Sequence, residues 1–398
     1  MDAIAQAQGR KEPISCVNMH TTGEPTRIVI SGYPTLQGTL LEQRAEAKAK
    51  HDSIRKRLIL EPAGHADMYG AVLRKETELI KSGEAHIGVL FMTNEGYSTM
   101  CGHATIALGR FLVDTHDLSV FPRRNEVQHD PVSMTATVNL QAPCGLVRIS
   151  VPITENPVRS DPSRPVTFVN VPSFATGRNI QVAIPKPDRW PELGERESVK
   201  VSFCYGGAFT CLVSVDELGF GETGLKQPVS HEAINLATRN LKRTVNHGAQ
   251  YQRYMTHPSH SELNSLYTVI VVDKNLGKLL GGSRGAETGL CYFADQQIDR
   301  SPTGSAVAAR VAYAVATGER KLGDSWTYHS LVSNASDGYG GFVGTALERV
   351  SELYDETTML AEPVRVQVGG YAFYIGSSTY VSEEEDPFGN GGFLFNRL

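Results

Sequence analysis

Two stretches of this 398-residue chain set a chemically able side chain directly before glycine at the start of an apolar helix pattern. The first is Cys101-Gly102-His103, opening CGHATIALGRFLVD (101–114). The second is Thr303-Gly304-Ser305 inside DRSPTGSAVAARVAYAV (299–315). The first backbone N–H groups of a helix lack intrahelical acceptors and carry the positive end of its dipole. That field favours a cysteine thiolate, and the same N–H groups accept a carboxylate or phosphate. Gly102 lets a ligand approach the backbone closely. At the second start Pro302 fixes the entry angle, Thr303 is expected to cap, and Gly304 and Ser305 offer N–H groups. Taken alone, each start also reads as an ordinary capped helix, with a buried cysteine in one and a hydroxyl in the other. Paired, one in each half, they predict an anion gripped from both sides.

The elements that must position these residues follow from periodicity and punctuation. RIVISGYP (27–34) reads as a strand ending in a turn, and TLLEQRAEAKAKHDSIRKRLIL (39–60) as one exposed helix. HIGVLFMT (86–93) is a strand leading to the buried helix 101–114. VSMTATVNLQAPCGLVRISVPIT (132–154) gives two strands about a Pro-Cys-Gly turn, and 156–164 reads as a linker. Beyond it come a strand in VTFVNVPSF, a strand in SVKVSFCYGGAFTCLVSVDELG and a helix through HEAINLATRNLKRTV. Strands in SLYTVIVVD and GLCYFAD precede the Thr303 helix, and VRVQVGGYAFYIGSSTYV adds strands before a charged, flexible EEEDPFGNGG. Each half therefore runs strands, then Cys or Thr before Gly, then an apolar helix, a repetition of element order without identity. GGSRG (281–285) reads as a turn, since it lacks the phosphate-loop pattern.

Composition narrows the class. With 40% hydrophobic and 20% charged residues the chain is globular, and its length suits two domains. A net charge of −5 gives no electrostatic case for nucleic acid or an anionic membrane, and the longest apolar runs are strand-sized. The N-terminal sequence shows no secretory pattern. Six cysteines without a CxxC pair fit neither a zinc cage nor a disulfide framework, so a cytoplasmic location with reduced thiols is expected.

TMCGHATIALGRF (99–111) and DRSPTGSAVAARVA (299–312) resemble the two signature loops of the proline racemase family. HTTGEPTRIV (20–29), EPAGHADMYGAV (61–72), FMTNEGYSTM (91–100) and YGGAF (205–209) extend the resemblance, in order, over nearly the whole chain. It implies an α/β (α+β) fold like that of diaminopimelate epimerase. Two pseudo-symmetric halves each wrap strands around a central helix, with the active site in the cleft between them. The expected halves are 14–158 with about 370–398, carrying Cys101, and 159–369, carrying Asp299 and Thr303; residues 1–13 form a flexible N-terminus.

Racemases and epimerases of this family carry cysteine at both helix starts. Here Thr303 stands at the second, and the Cys/Thr pair resembles the trans-3-hydroxy-L-proline dehydratase branch. An alcohol cannot exchange roles with a thiolate near neutral pH, so one of the two acid/base groups needed for inversion is missing. The resemblance implies Cys101 and Thr303 as catalytic residues, and Gly102, His103, Asp299, Gly304 and Ser305 as the substrate-binding set, with Asp299 on the ring ammonium. It implies neither metal nor organic cofactor, a small-molecule substrate, and no nucleic acid or membrane partner; a homodimer is the commonest assembly. Three positions depart from the family pattern: Thr22 and Ala306 stand where Gly is usual, and Ala63 where Arg is common. His20, Glu24, His65 and Asp67 lie in family motifs, as cleft scaffold or as contacts. The rival readings are a proline racemase or hydroxyproline 2-epimerase, a non-catalytic amino-acid-binding protein, and, more weakly, a Cys/His hydrolase, for which Cys101 and His103 are too close in sequence to imply the geometry.

Overall fold

The computed structural model describes residues 12–155, 157–395 and 398. The chain divides into two compact units, one running to Phe168 and taking in Gly370–Leu398, the other spanning Val169–Gly369. Residues 1–11 of the expected flexible N-terminus lie outside the described residues.

The first unit opens with a hairpin of β1 (Ile14–Thr21) and β2 (Glu24–Ser31). Its turn is Thr22-Gly23, both with positive φ (52° and 83°). Two left-handed residues match the twist of the flanking strands, which explains why glycine suits position 22. The helical stretch after β2 is two helices, α1 (Leu40–Lys50) and α2 (Asp52–Ile59), because the backbone leaves helical geometry at His51 (φ −127°, ψ 15°). Thr39 and Glu42 form a capping box at the start of α1. β3 (Gly70–Arg74) runs parallel to β2 and antiparallel to β4 (Ile87–Met92). β5 (Tyr97–Ser98) turns back along β4 and leads into α3 (Gly102–Asp114). β6 (Thr135–Ala142) lies parallel to β4 and forms a hairpin with β7 (Gly145–Thr154) about Pro143-Cys144. The terminal strand Ala372–Tyr380 pairs with the free side of β1.

These strands curl around α3, which lies against β1, β2, β6, β7 and the terminal strand. Every residue of α3 except Asp114 is buried. Gly109 marks the tightest approach: a Cβ there would stand 2.7 Å from Cγ2 of Ile149 and 3.1 Å from Cγ2 of Val151. The part of the expected linker that is described, 157–164, is not free, since Arg159–Ser160 pairs with the end of β7 and Ser160 hydrogen-bonds to Asp114 at the end of α3. The first unit accordingly runs ten residues past 158, to Phe168.

The second unit repeats the scheme. β8 (Phe174–Ala183), β9 (Ser198–Tyr205) and β10 (Phe209–Ser214) form an antiparallel meander, and β11 (Leu266–Asp273) lies parallel to β10. The segment 198–219 is thus a hairpin and not one strand, because Gly206-Gly207-Ala208 turns the chain. β12 (Ala286–Phe293) continues the sheet beside β11 and folds back into β13 (Gln297–Asp299). β14 (Ser325–His329), β15 (Phe342–Arg349) and β16 (Val364–Gly370) complete it. The amphipathic α4 (His231–His247) covers β11 from outside. The apolar α5 (Gly304–Ala316) is the central helix, against β8, β9, β10 and β15.

GGSRG lies in a turn, and the acidic tail holds a short helix, Pro387–Gly391, capped by Asp386. Among the described residues no helix is long and apolar enough to cross a membrane.

Candidate active site

In the first unit Cys101, Gly102 and His103 stand together at the start of α3. Cys101 has extended backbone (φ −149°, ψ 112°), as an N-cap requires, and its Sγ accepts the N–H of Ala104 at 3.4 Å. The capping reading of this cysteine is therefore correct as far as it goes. The sulfur also touches the imidazole of His103, 3.3 Å from Nδ1. Positions two apart make this contact because Cys101 is extended while His103 already lies in the first helical turn. Both side chains are buried, at 5% and 2% exposure. The His103 ring meets Tyr69 edge-on at 4.7 Å, and Tyr69 Oη lies 2.5 Å from Ser98 Oγ. Thr21 Oγ1 donates to the His103 carbonyl at 2.9 Å. A buried thiol against an imidazole is equipped to give up and take back a proton.

Arginines brace the chain that enters this mouth, and sequence reading did not single them out. Arg55 Nη1 donates to the carbonyls of Thr93 and Asn94 at 2.8 and 2.9 Å, and Arg44 Nε to that of Tyr97 at 2.9 Å. Arg27 reaches the carbonyls of Leu58 and Ala63 and stacks over Tyr380. The one signal in the sequence was Arg27 inside an apolar strand, TRIVI. His20 accepts the Gly23 N–H at 3.2 Å and packs on Phe373; burial holds its pKa below the usual histidine value. His65 accepts the Asp67 N–H at 3.2 Å. Glu24 is wholly buried opposite Thr21 in the hairpin.

In the second unit Asp299, Thr303, Gly304 and Ser305 gather at the start of α5. Asp299 is buried at the end of β13, and its Oδ1 accepts the Ser301 N–H at 2.7 Å. Ser301 Oγ in turn accepts the Thr303 N–H at 3.2 Å. The sequence expectation that Thr303 caps the helix is wrong in one respect: its side chain makes no capping bond. The backbone sits in the left-handed region (φ 63°, ψ 87°), which turns the hydroxyl away from the helix N–H groups. A β-branched residue there is strained. Its Oγ1 is buried and finds no hydrogen-bond partner among the described residues. Gly304 and Ser305 are buried in the first turn, and Ala306 is wholly buried behind them.

The motif YGGAF packs on this turn. A Cβ on Gly206 would lie 2.2 Å from the Ser305 carbonyl oxygen, and Asn170 Nδ2 holds the Gly206 carbonyl at 2.8 Å. Only bare backbone fits there.

Comparison with known proteins agrees with this reading of the motifs. The family described as proline racemase matches residues 16–393. A protein named trans-3-hydroxy-L-proline dehydratase from Homo sapiens is 36% identical over 382 residues, covering 96% of this chain and 94% of its own length. One of the same name from Colwellia psychrerythraea is 31% identical over 96% of this chain and 92% of its own. A crystal structure of a hydroxyproline epimerase from Agrobacterium vitis superposes with a TM-score of 0.76 at 21% identity, over 97% of this chain and 96% of that one. That likeness shows the fold, the diaminopimelate-epimerase-like one that the motifs implied. With its signature loops at the starts of the two central helices, the chain belongs to the proline racemase family.

Proposed function

We propose that the protein is a hydro-lyase that dehydrates trans-3-hydroxy-L-proline to Δ1-pyrroline-2-carboxylate. Cys101, as thiolate, removes the Cα proton, and the electron pair moves into the carboxylate. N–H groups of Gly102, His103, Gly304 and Ser305 hold that developing dianion; preorganised donors of this kind supply about 3–4 kcal/mol each. The pair then returns to form the C2–C3 double bond as the C3–O bond breaks, and the hydroxyl leaves as water with one proton, which balances the one that Cys101 took from Cα; passage of that proton from Cys101 to the leaving oxygen regenerates the thiolate. The resulting enamine tautomerises to the cyclic imine. Asp299 binds the ring ammonium, and Thr303 hydrogen-bonds near the 3-hydroxyl. The carboxylate itself accepts the charge, so the chemistry calls for no metal or organic cofactor.

The observation that carries this reading is the asymmetry of the two helix starts. One presents a thiol in contact with an imidazole, the other a buried hydroxyl on a left-handed residue, without a partner among the described residues. A single competent base supports elimination but not inversion. The dehydratase name carried by relatives at 36–37% identity supports the same choice. Cys101→Ser tests it: dehydration should fall by about 10³-fold or more, the upper range for removal of an essential base. Undiminished imine formation would remove Cys101 from the reaction. A cytoplasmic location fits the free cysteines; a homodimer is the commonest assembly, and size-exclusion chromatography with light scattering tests it.

A further inference from the structure

We propose that the second unit carries a binding site for a small organic carboxylate, separate from the helix start. A cavity of about 370 Å³ opens between the last turns of α5 and the strands β9 to β12. Its size falls in the range that holds small molecules. Arg310, which lines it, is seven residues beyond Thr303, roughly 10 Å along the helix at 1.5 Å per residue.

The charges around the cavity do not balance. Arg310 and Arg320 are both buried and share one carboxylate, Glu287, through Arg310 Nε at 2.8 Å and Arg320 Nη2 at 2.9 Å. Two buried guanidiniums against one carboxylate leave a net positive charge, which a low-dielectric interior tolerates poorly. Arg310 is 2% exposed, and its Nη1 meets no hydrogen-bond acceptor among the described residues. At the cavity rim Lys274 is neutralised by Glu319 at 2.9 Å, and Glu217 lies 3.9 Å from Arg196. Among the described residues the Lys200 ammonium, also lining the cavity, forms no ion pair, although Glu217 accepts the Lys200 backbone N–H at 2.8 Å. Counted over the lining residues, four cations (Lys200, Lys274, Arg310 and Arg320) face three carboxylates (Glu217, Glu287 and Glu319), so the site is one anion short. Val201, Leu212 and Val272 supply apolar wall beside these cations, which suits an anion with a hydrocarbon body better than phosphate or chloride.

The test is calorimetric titration of the full-length protein with succinate and butyrate, and with phosphate and chloride at matched ionic strength. Saturable binding of the organic carboxylates is expected in the wild type and equally in Cys101→Ser. Lys200→Glu, an exposed change, should weaken it roughly 10-fold or more, as reversal of a facing charge does. Leu212→Trp, which fills the cavity, should abolish it. The rate of Cys101-dependent chemistry should stay unchanged in Lys200→Glu. No saturable carboxylate binding, binding unaltered in Lys200→Glu, or phosphate binding as tightly as succinate would each overturn the proposal.

Discussion

The residue on which most turns is Thr303. A buried hydroxyl without a partner among the described residues costs about 1–3 kcal/mol, and a β-branched side chain at φ 63° adds backbone strain. Both are expected where a side chain is kept ready for a ligand. Thr303→Val keeps shape and removes the hydroxyl, so the folded protein should become more stable by up to about 1 kcal/mol. Dehydration should meanwhile fall by about tenfold or more, the loss of one hydrogen bond to the reacting substrate. Denaturant titration beside a steady-state assay reads both; lower stability with full activity would mean the hydroxyl serves the fold. The residue types at this site were legible in the sequence, because Cys-Gly-His and Thr-Gly-Ser stand before apolar helices. The left-handed turn at Thr303 was not, since propensity favours a capping role for threonine and only the Asp299–Ser301–Thr303 chain of hydrogen bonds shows what prevents it.

At the scale of elements, the two central helices are held by close backbone approach. Gly109→Ala would drive a methyl to 2.7 Å from Ile149, and overpacking of this kind costs about 1–3 kcal/mol. Gly206→Ala collides with the backbone at Ser305 and Ala309, which no rotamer change relieves, so it should reduce activity more than it reduces stability. Comparing kcat with the denaturation midpoint for the two variants checks this; equal loss of both in each would deny the YGGAF loop any special link to the helix start. Most elements were legible from periodicity, α3 and α5 above all. β1 was missed because the alternation of Ile14–Thr21 carries Asn18 and His20 among its polar positions and is recognisable only from its pairing on both sides. The break at His51 and the turn at Gly206-Gly207 were missed although His51-Asp52-Ser53 and Gly206-Gly207 interrupt the runs of helix and strand formers, because the flanking runs resume the same character on the far side.

For the whole molecule, buried and half-buried titratable groups set the response to acid. His257 lies against Tyr205 with His260 beside it; burial first, and then the neighbouring histidine, push its pKa down to about 4 from 6.5. The folded state thus binds fewer protons than the unfolded one in this interval. Its contribution is complete above pH 6.5 and is lost as pH falls towards 4. Glu287 follows at lower pH. Burial alone would raise its pKa, but Arg310 and Arg320 outweigh that and hold it below 4.5, so its contribution is lost as the pH drops beneath that value. Stability measured by denaturant should decline from pH 6.5 downwards, and His257→Asn should flatten the first part of the decline. A flat profile in the native protein between 6.5 and 4 would contradict this.

The central claim is that one thiol base acts with an alcohol in place of the second. It is tested most directly by following the purified protein in ²H₂O by NMR with trans-3-hydroxy-L-proline, L-proline and trans-4-hydroxy-L-proline in parallel. Conversion of the first to the cyclic imine, with no α-deuterated D-isomer from the other two, is the predicted result. Inversion of either of those, with trans-3-hydroxy-L-proline left intact, would contradict it.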